Sequence, residues 1–223
     1  LVLGDTINTN AAWIGQRLAA LGLRVSRQTV VPDGAVIGEV LAEAAPRAEV
    51  VIATGGLGPT NDDVTREITA GLLGLPMDLD EGVRAHLEGY FKQRGRVVNA
   101  ATLRQAMVPR GARVLPNAFG TAPGLHVPAA LGAERGWNCH FFLLPGPPRE
   151  LKPMFENAVE PVLKELHPES AGRRVQYLKV TGMGESDIVD LIERDLEAMA
   201  EAGLEMGYCL GRGDVDVRLA GEA

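Results

Sequence analysis

The chain has few aromatic residues, almost no cysteine and no surplus of positive charge. Aromatics make up 4% of its 223 residues, which disfavours the base-stacking platforms that hold single-stranded nucleic acid. Acidic residues outnumber basic ones by 29 to 22, a formal charge of −7. That argues against a broad nucleic-acid-binding face and leaves room only for a local basic patch. Cys139 and Cys209 are the only cysteines, so there is neither a disulfide framework nor a four-cysteine zinc site, and a reducing, cytoplasmic setting is expected. No apolar run approaches the ~18 residues that span a membrane. The longest, Val50–Ala53 and Phe141–Leu144, are strand-sized. No basic, apolar and cleavage-site pattern of a secretory leader is present. The chain opens at Leu1, inside an apolar stretch, which reads as the remnant of a preceding strand.

What remains is ordinary globular composition, 46% apolar and 23% charged, at a length that suits one large domain with a small appendage. Helix and strand patterns alternate. Thr9–Leu21, Gly34–Ala45 and Val64–Leu72 carry apolar residues at helical spacing, with Gly22 and Gly74 as stops. Leu23–Val31 is rich in β-branched residues and predicts a strand, and Glu49–Thr54 predicts a strand buried in a parallel sheet. Glu81–Arg94, Ala100–Met107 and Arg149–Leu166 predict helices; Ala112–Leu115, Leu125–Val127 and Cys139–Leu144 predict strands; Ala129–Trp137 predicts a surface loop. The order points to an α/β domain over residues 1–166, with a mostly parallel sheet between helices. After a break at His167–Arg174, a strand, a helix and two short strands over residues 167–223 predict a small α+β subdomain.

The segment richest in chemistry is Thr54–Thr65, TGGLGPTNDDVT. A buried strand ends, a glycine-rich loop follows and a helix begins. Gly55, Gly56 and Gly58 permit close backbone approach, and N–H groups at a helix start favour phosphate. Asp62 and Asp63 add hard oxygen donors suited to a divalent cation. The competing reading is a strand-to-helix turn with acids that merely favour the helix dipole. The segment is not a P-loop, because no Gly-Lys-Ser/Thr follows, and it lacks the third glycine of a dinucleotide fingerprint.

Weaker signals accompany it. Asp33 either caps a helix or stands on the same rim as the glycine loop. Asp5, Asn8 and Asn10 precede the first helix, one as its cap. Asn117–Gly124 (NAFGTAPG) is either a connecting turn or a donor of N–H groups. Pro145–Leu151 (PGPPREL) opens a helix with Glu150 in its first turn, where it suits the dipole or can be aimed at a metal or water. His86, His126, His140 and His167 lack metal-ligand spacing. Cys139 reads as an inert core thiol. Arg27, Arg104, Arg149 and Arg212 suit phosphate binding, but solvated arginine is the usual case.

GDTINTN, VVPD, TGGLGPTNDDVT, NAFGTAPG and LLPGPPRELKPMF, in this order, resemble the molybdopterin-binding-like domain of CinA proteins. VTGMGESDI and DVDVRLA resemble the small second subdomain of that family. MogA- and MoaB-type molybdenum-cofactor proteins share the glycine loop, while PGPPREL and GMGES favour CinA. The resemblance implies a three-layer α/β/α fold of the molybdenum-cofactor-biosynthesis type and a homodimer. It implies ADP-ribose pyrophosphatase activity, a hydrolase reaction dependent on Mg²⁺, Mn²⁺ or Co²⁺, giving AMP and ribose 5-phosphate. It further implies that a longer chain can carry a nicotinamide mononucleotide deamidase domain, to which nothing in these residues corresponds.

Carried over by motif, Gly55, Gly56, Gly58 and Thr60 would cradle phosphate. Asp33, Asp62 and Asp63 would be the catalytic carboxylates, with Asp62 and Asp63 at the metal. Asn10, Gly120, Thr121 and Ala122 would line the ligand pocket, and Pro145, Gly146 and Glu150 its opposite rim. Two alternatives stand beside hydrolysis. One is a non-catalytic module that holds molybdopterin or a nucleotide. The other is a MogA-like molybdopterin adenylyltransferase. No nucleic-acid or membrane partner is expected; the partner is a small-molecule nucleotide.

Overall fold

A computed structural model describes residues 1–2, 4–168, 170, 173–211 and 213–222, with the side chains at 173–175, 193–194 and 222 left aside. By compactness the chain divides into two units. One comprises Leu1–Asn10 with Thr29–Glu165, the other Ala11–Gln28 with Leu166–Ala223. The segment Ala11–Gln28 thus groups with the C-terminal residues.

The helices and strands follow in chain order. They are α1 (Thr9–Ala20), α2 (Val36–Ala44), β1 (Val50–Thr54), α3 (Thr65–Leu73), β2 (Met77–Leu79), α4 (Glu81–Lys92) and α5 (Ala100–Leu103). Then come β3 (Met107–Pro109), β4 (Arg113–Leu115), β5 (Gly124–Val127), β6 (His140–Leu144), α6 (Pro148–Met154) and α7 (Glu160–Leu166). The chain closes with β7 (Arg173–Thr181), α8 (Glu185–Glu201), β8 (Glu205–Leu210) and β9 (Asp214–Glu222).

The first unit is built on a four-stranded sheet in the order β1-β6-β5-β4. β1 runs parallel to β6, with Val50 opposite His140 and Thr54 opposite Leu144. β6–β5 and β5–β4 are antiparallel, so the α/β unit has mixed pairing. β4 and β5 are joined by a short loop, which can only return the chain antiparallel. β2 and β3 form a separate antiparallel pair.

β6 holds the core because its sequence, HFFLL, is apolar on both faces. Phe141 and Leu143 pack with Ile37 and Leu41 of α2, Leu73 of α3 and Leu125 of β5. Phe142 and Leu144 point to the other face and are equally buried. A side chain at Gly124 on that face would run into Met154 of α6. Helices therefore cover both faces of the sheet.

Some expectations need correction. Among the described residues, Leu23–Val31 joins no sheet. Its β-branched residues suit a strand, but a strand exists only where another offers a ladder, and Val25 and Val30 are exposed. Ala129–Arg135 is a 3₁₀ turn whose Ala129 and Gly132 are buried and whose Leu131 packs on the core, so this stretch is more than a surface loop. The helix expected over Ala100–Met107 is α5 followed by a 3₁₀ turn, Arg104–Ala106. The helix expected over Arg149–Leu166 is interrupted by a π turn, Phe155–Val159, one turn before Pro161, whose missing N–H and ring disturb the ordinary hydrogen-bond pattern of the preceding carbonyls.

The second unit contains an antiparallel sheet in the order β7-β9-β8. Ile188 and Ile192 of α8 pack there with Val215, Val217, Val180 and Met206.

Candidate functional site

The glycine loop starts where β1 stops. The Gly55 N–H donates to the Leu144 carbonyl (2.9 Å), continuing the pairing with β6 one residue beyond the end of β1. Gly55 and Gly56 then take φ values of 98° and 67°, a region that only glycine enters at little cost. The chain folds back so that the Thr65 N–H and hydroxyl donate to the Gly56 and Gly55 carbonyls (3.1 and 3.0 Å). A Cβ at Gly56 would collide with that hydroxyl, and one at Gly58 with the Asp63 carboxylate.

Asp63 stabilises the loop from within. Its Oδ2 accepts from the Thr60 N–H (2.9 Å) and from the Thr60 hydroxyl. Asp62 is exposed. The Thr60 hydroxyl and its own backbone amide hold its carboxyl below the usual range, so it is ionised at neutral pH.

The loop forms one wall of a cleft of about 380 Å³, within the range of small-molecule sites. Gly55, Gly56, Gly58 and Asp63 line it from β1 and the loop, Gly120, Thr121 and Ala122 from the β4–β5 connection, and Pro145, Gly146 and Glu150 from the end of β6 and the start of α6. Three segments far apart in sequence thus meet beyond the carboxyl ends of β1 and β6, where open α/β sheets bind ligands. Asn10 joins this rim, its Nδ2 donating to the Gly146 carbonyl (2.7 Å).

Glu150 is buried. Asn117 Nδ2 donates to its Oε2 and to the Ala122 carbonyl (2.8 Å each), so the small-residue loop and the Glu150 carboxylate are fixed to each other. Arg149 lies 3.8 Å from Glu150 Oε1. Gly120 must lack a side chain because a Cβ there would strike Glu150. The Asn117–Gly124 loop is therefore more than a connecting turn, since it shapes one wall.

Asp33 and Asp62 are not among the residues lining the cleft. Asp33 is exposed and does not cap α2, whose N-cap is Ala35 without a side-chain bond. Thr60 acts on the cleft through Asp63. Arg104 pairs with Asn61 (3.2 Å) and Glu67 (3.8 Å); Arg212 lies outside the described residues. Cys139 is buried, and burial pushes its thiol up to about 11, which keeps it inert.

Sequence reasoning missed Tyr90, Gln105 and Arg66. Tyr90 and Gln105 also line the cleft. The Arg94 guanidinium sits 3.5 Å over the Tyr90 ring, and His86, one turn earlier on α4, contacts the Gly120 carbonyl (3.2 Å). Arg66 is fully buried. Its Nη1 donates to the Leu57 carbonyl (2.7 Å), which also accepts from Gln105 Nε2 (3.3 Å). One signal for Arg66 was available: a cation in the first turn of a helix opposes the dipole there, so it calls for another reason to be present.

Among the described residues no group of three or more His, Cys, Asp or Glu side chains could hold a metal ion unaided. The donor set nevertheless fits a hard divalent cation completed by phosphate oxygens, since Mg²⁺ is commonly held by one or two carboxylates plus the phosphates of a substrate.

The model of one protein family, described as "Probable molybdopterin binding domain", matches residues 1–165. A CinA-like protein of Akkermansia muciniphila is 48% identical over 221 residues, 99% of this chain and 51% of the relative. The chain thus spans about half the length of the curated relatives it matches. A crystal structure of the protein CinA from Thermoplasma acidophilum, titled as of unknown function, superposes with a TM-score of 0.64 at 33% identity, covering 72% of this chain and 92% of that one.

Proposed function

The chain belongs to the CinA family and, over residues 1–165, to the molybdopterin binding domain family, and from this premise we propose that it hydrolyses the pyrophosphate of a nucleoside diphosphate sugar. ADP-ribose is the substrate that fits best, giving AMP and ribose 5-phosphate. The reading rests on one observation: a single cleft brings together a glycine loop opening onto a helix, the Asp63 carboxylate and the buried Glu150.

In this reading the backbone N–H groups of the loop residues that line the cleft, Gly56 to Gly58, bind the diphosphate. A water oxygen bonds to one phosphorus, the bond from that phosphorus to the bridging oxygen breaks, and the bridging oxygen leaves with the electron pair and takes a proton. Asp63 has one carboxylate oxygen committed to Thr60, so its other oxygen is left to orient that water. Glu150, held by Asn117, sets the opposite wall and the position of the sugar side. Asp62 and Asp63 would hold a divalent cation, which supplies charge neutralisation and a more acidic water. Fixed geometry and electrostatics then supply most of the rate.

Incubation with ADP-ribose, with and without Mg²⁺, Mn²⁺ or Co²⁺, followed by chromatography for AMP, tests this. Metal-dependent AMP is expected, reduced at least ~100-fold in Asp63→Ala, given what one positioned group contributes. The position of Asp62 outside the residues that line the cleft favours a second reading, a nucleotide- or molybdopterin-holding module without turnover. Tight binding with no AMP under any metal would select that reading.

A further inference from the structure

Arg66 lies behind the glycine loop as a complete cation withdrawn from solvent. Its relative exposure is 0%. Of its three guanidinium nitrogens only Nη1 makes a hydrogen bond, to the Leu57 carbonyl; Nε and Nη2 make none. The nearest counter-charge is Glu67, 3.5 Å from Nη2. A buried ion costs free energy unless it is paired and hydrogen-bonded, and this one is only half provided for. Burial pushes the guanidinium down from its ordinary pKa while Glu67 pulls it back, and arginine keeps its proton in proteins.

The position gives the charge a direction. Leu57 and Gly58 both line the cleft. In a trans peptide the carbonyl and the following N–H point opposite ways. The Leu57 carbonyl faces Arg66, so the Gly58 N–H faces away from it. Arg66 therefore fixes the peptide plane of the loop and adds positive charge, offset in part by Glu67, one peptide behind it. Water screens a surface arginine; a buried one acts through a low dielectric.

We infer that Arg66 is a positioning residue that sets the charge specificity of the glycine loop, making it select a diphosphate over a single phosphate. This rests on the reading of the cleft as a phosphate site and adds to it the group that discriminates by charge. A role confined to stability would weaken all ligands alike. A role through charge weakens each ligand in proportion to the charge it carries.

The test is calorimetric titration of the chain with inorganic pyrophosphate, inorganic phosphate and uncharged adenosine. The variants are Arg66→Met, Arg66→Gln and Arg66→Lys, each first checked for a native melt. In the two neutral variants pyrophosphate affinity is expected to fall at least tenfold, phosphate affinity by less and adenosine affinity by less than twofold. Arg66→Lys should keep the pyrophosphate-to-phosphate ratio within threefold of the parent. Equal loss for all three ligands, or unchanged pyrophosphate binding in a folded neutral variant, overturns the inference while the phosphate site stands. A parent chain that binds no pyrophosphate overturns the site and the inference together. If neither neutral variant folds, Arg66→Lys decides: a ratio that collapses in this folded, charged variant overturns it.

Discussion

At the scale of the residue, the loop distinguishes two kinds of glycine. Gly56 is required by its backbone, with φ at 67° and the Thr65 hydroxyl against its α-carbon. Gly58 has ordinary φ and is required by its neighbour, the Asp63 carboxylate that Thr60 holds in place. The two alanine variants should therefore fail differently. Gly56→Ala is expected to cost about 1–3 kcal/mol of stability, read from its urea midpoint. Gly58→Ala should cost stability only through the Thr60 bonds that Asp63 has to leave, and should lose ADP-ribose affinity beyond what Gly56→Ala loses. Equal loss of affinity in the two variants would mean that the loop is merely a turn. This stretch was legible in the sequence because its residues are contiguous and chemically unusual. Tyr90 and Gln105 were not, since each is a common residue that only the tertiary fold brings to the cleft. Asp33 stands outside the cleft lining for the converse reason: its expected place on the rim depended on Leu23–Val31 forming a strand, and that segment pairs with none of the described residues.

At the scale of the element, β6 and the segment Leu23–Val31 look similar as sequence and behave oppositely. Both are rich in residues that favour strands. β6 has a partner on each side, β1 parallel and β5 antiparallel; Leu23–Val31 has no partner among the described residues. Strand propensity describes fitness for a pleated, half-buried surface and is silent on whether one is available. Hydrogen exchange should separate the two. The amides of Val25 and Val30 are expected to exchange within seconds to minutes at neutral pH, while those of Phe142 and Leu143 should be protected close to the global limit. Slow exchange at Val25 and Val30 would show that this segment is hydrogen-bonded as a strand. The helices were easier to read, because their periodicity is internal: Asp80 caps α4 by accepting from the Val83 N–H (2.8 Å), and Gly74 ends α3 in the left-handed region with φ 71°.

At the scale of the whole molecule, a histidine pair inside the sheet contributes to the loss of stability in acid. His126 on β5 is 2% exposed, stacks on Phe142 at 4.4 Å and shares a hydrogen bond with His140 (Nε2 to Nδ1, 2.9 Å). Burial first, then the proximity of His140 and Arg113, lowers its pKa to about 4. The native state thus refuses a proton that the unfolded chain accepts below about pH 6.5. Stability is full above that value and is lost as pH falls toward 4, by about 3 kcal/mol from this group alone. Urea midpoints at pH 7.5 and 4.5 should differ by more in the parent chain than in His126→Gln. Equal differences would remove His126 as the cause.

The grouping of Ala11–Gln28 with Leu166–Ala223 has a consequence for the ribosome. Ala11–Gln28 emerges early, yet the rest of its unit follows only after about 140 further residues. At a synthesis rate of roughly 5–20 residues per second, the delay is on the order of ten seconds. During that interval Trp13, Ile14 and Leu18 wait without the rest of their compact unit, while nearly all of the first unit is translated around the gap. Throughout that interval the nascent chain carries one apolar helix without the rest of its unit, which makes this helix the segment on which a chaperone would act.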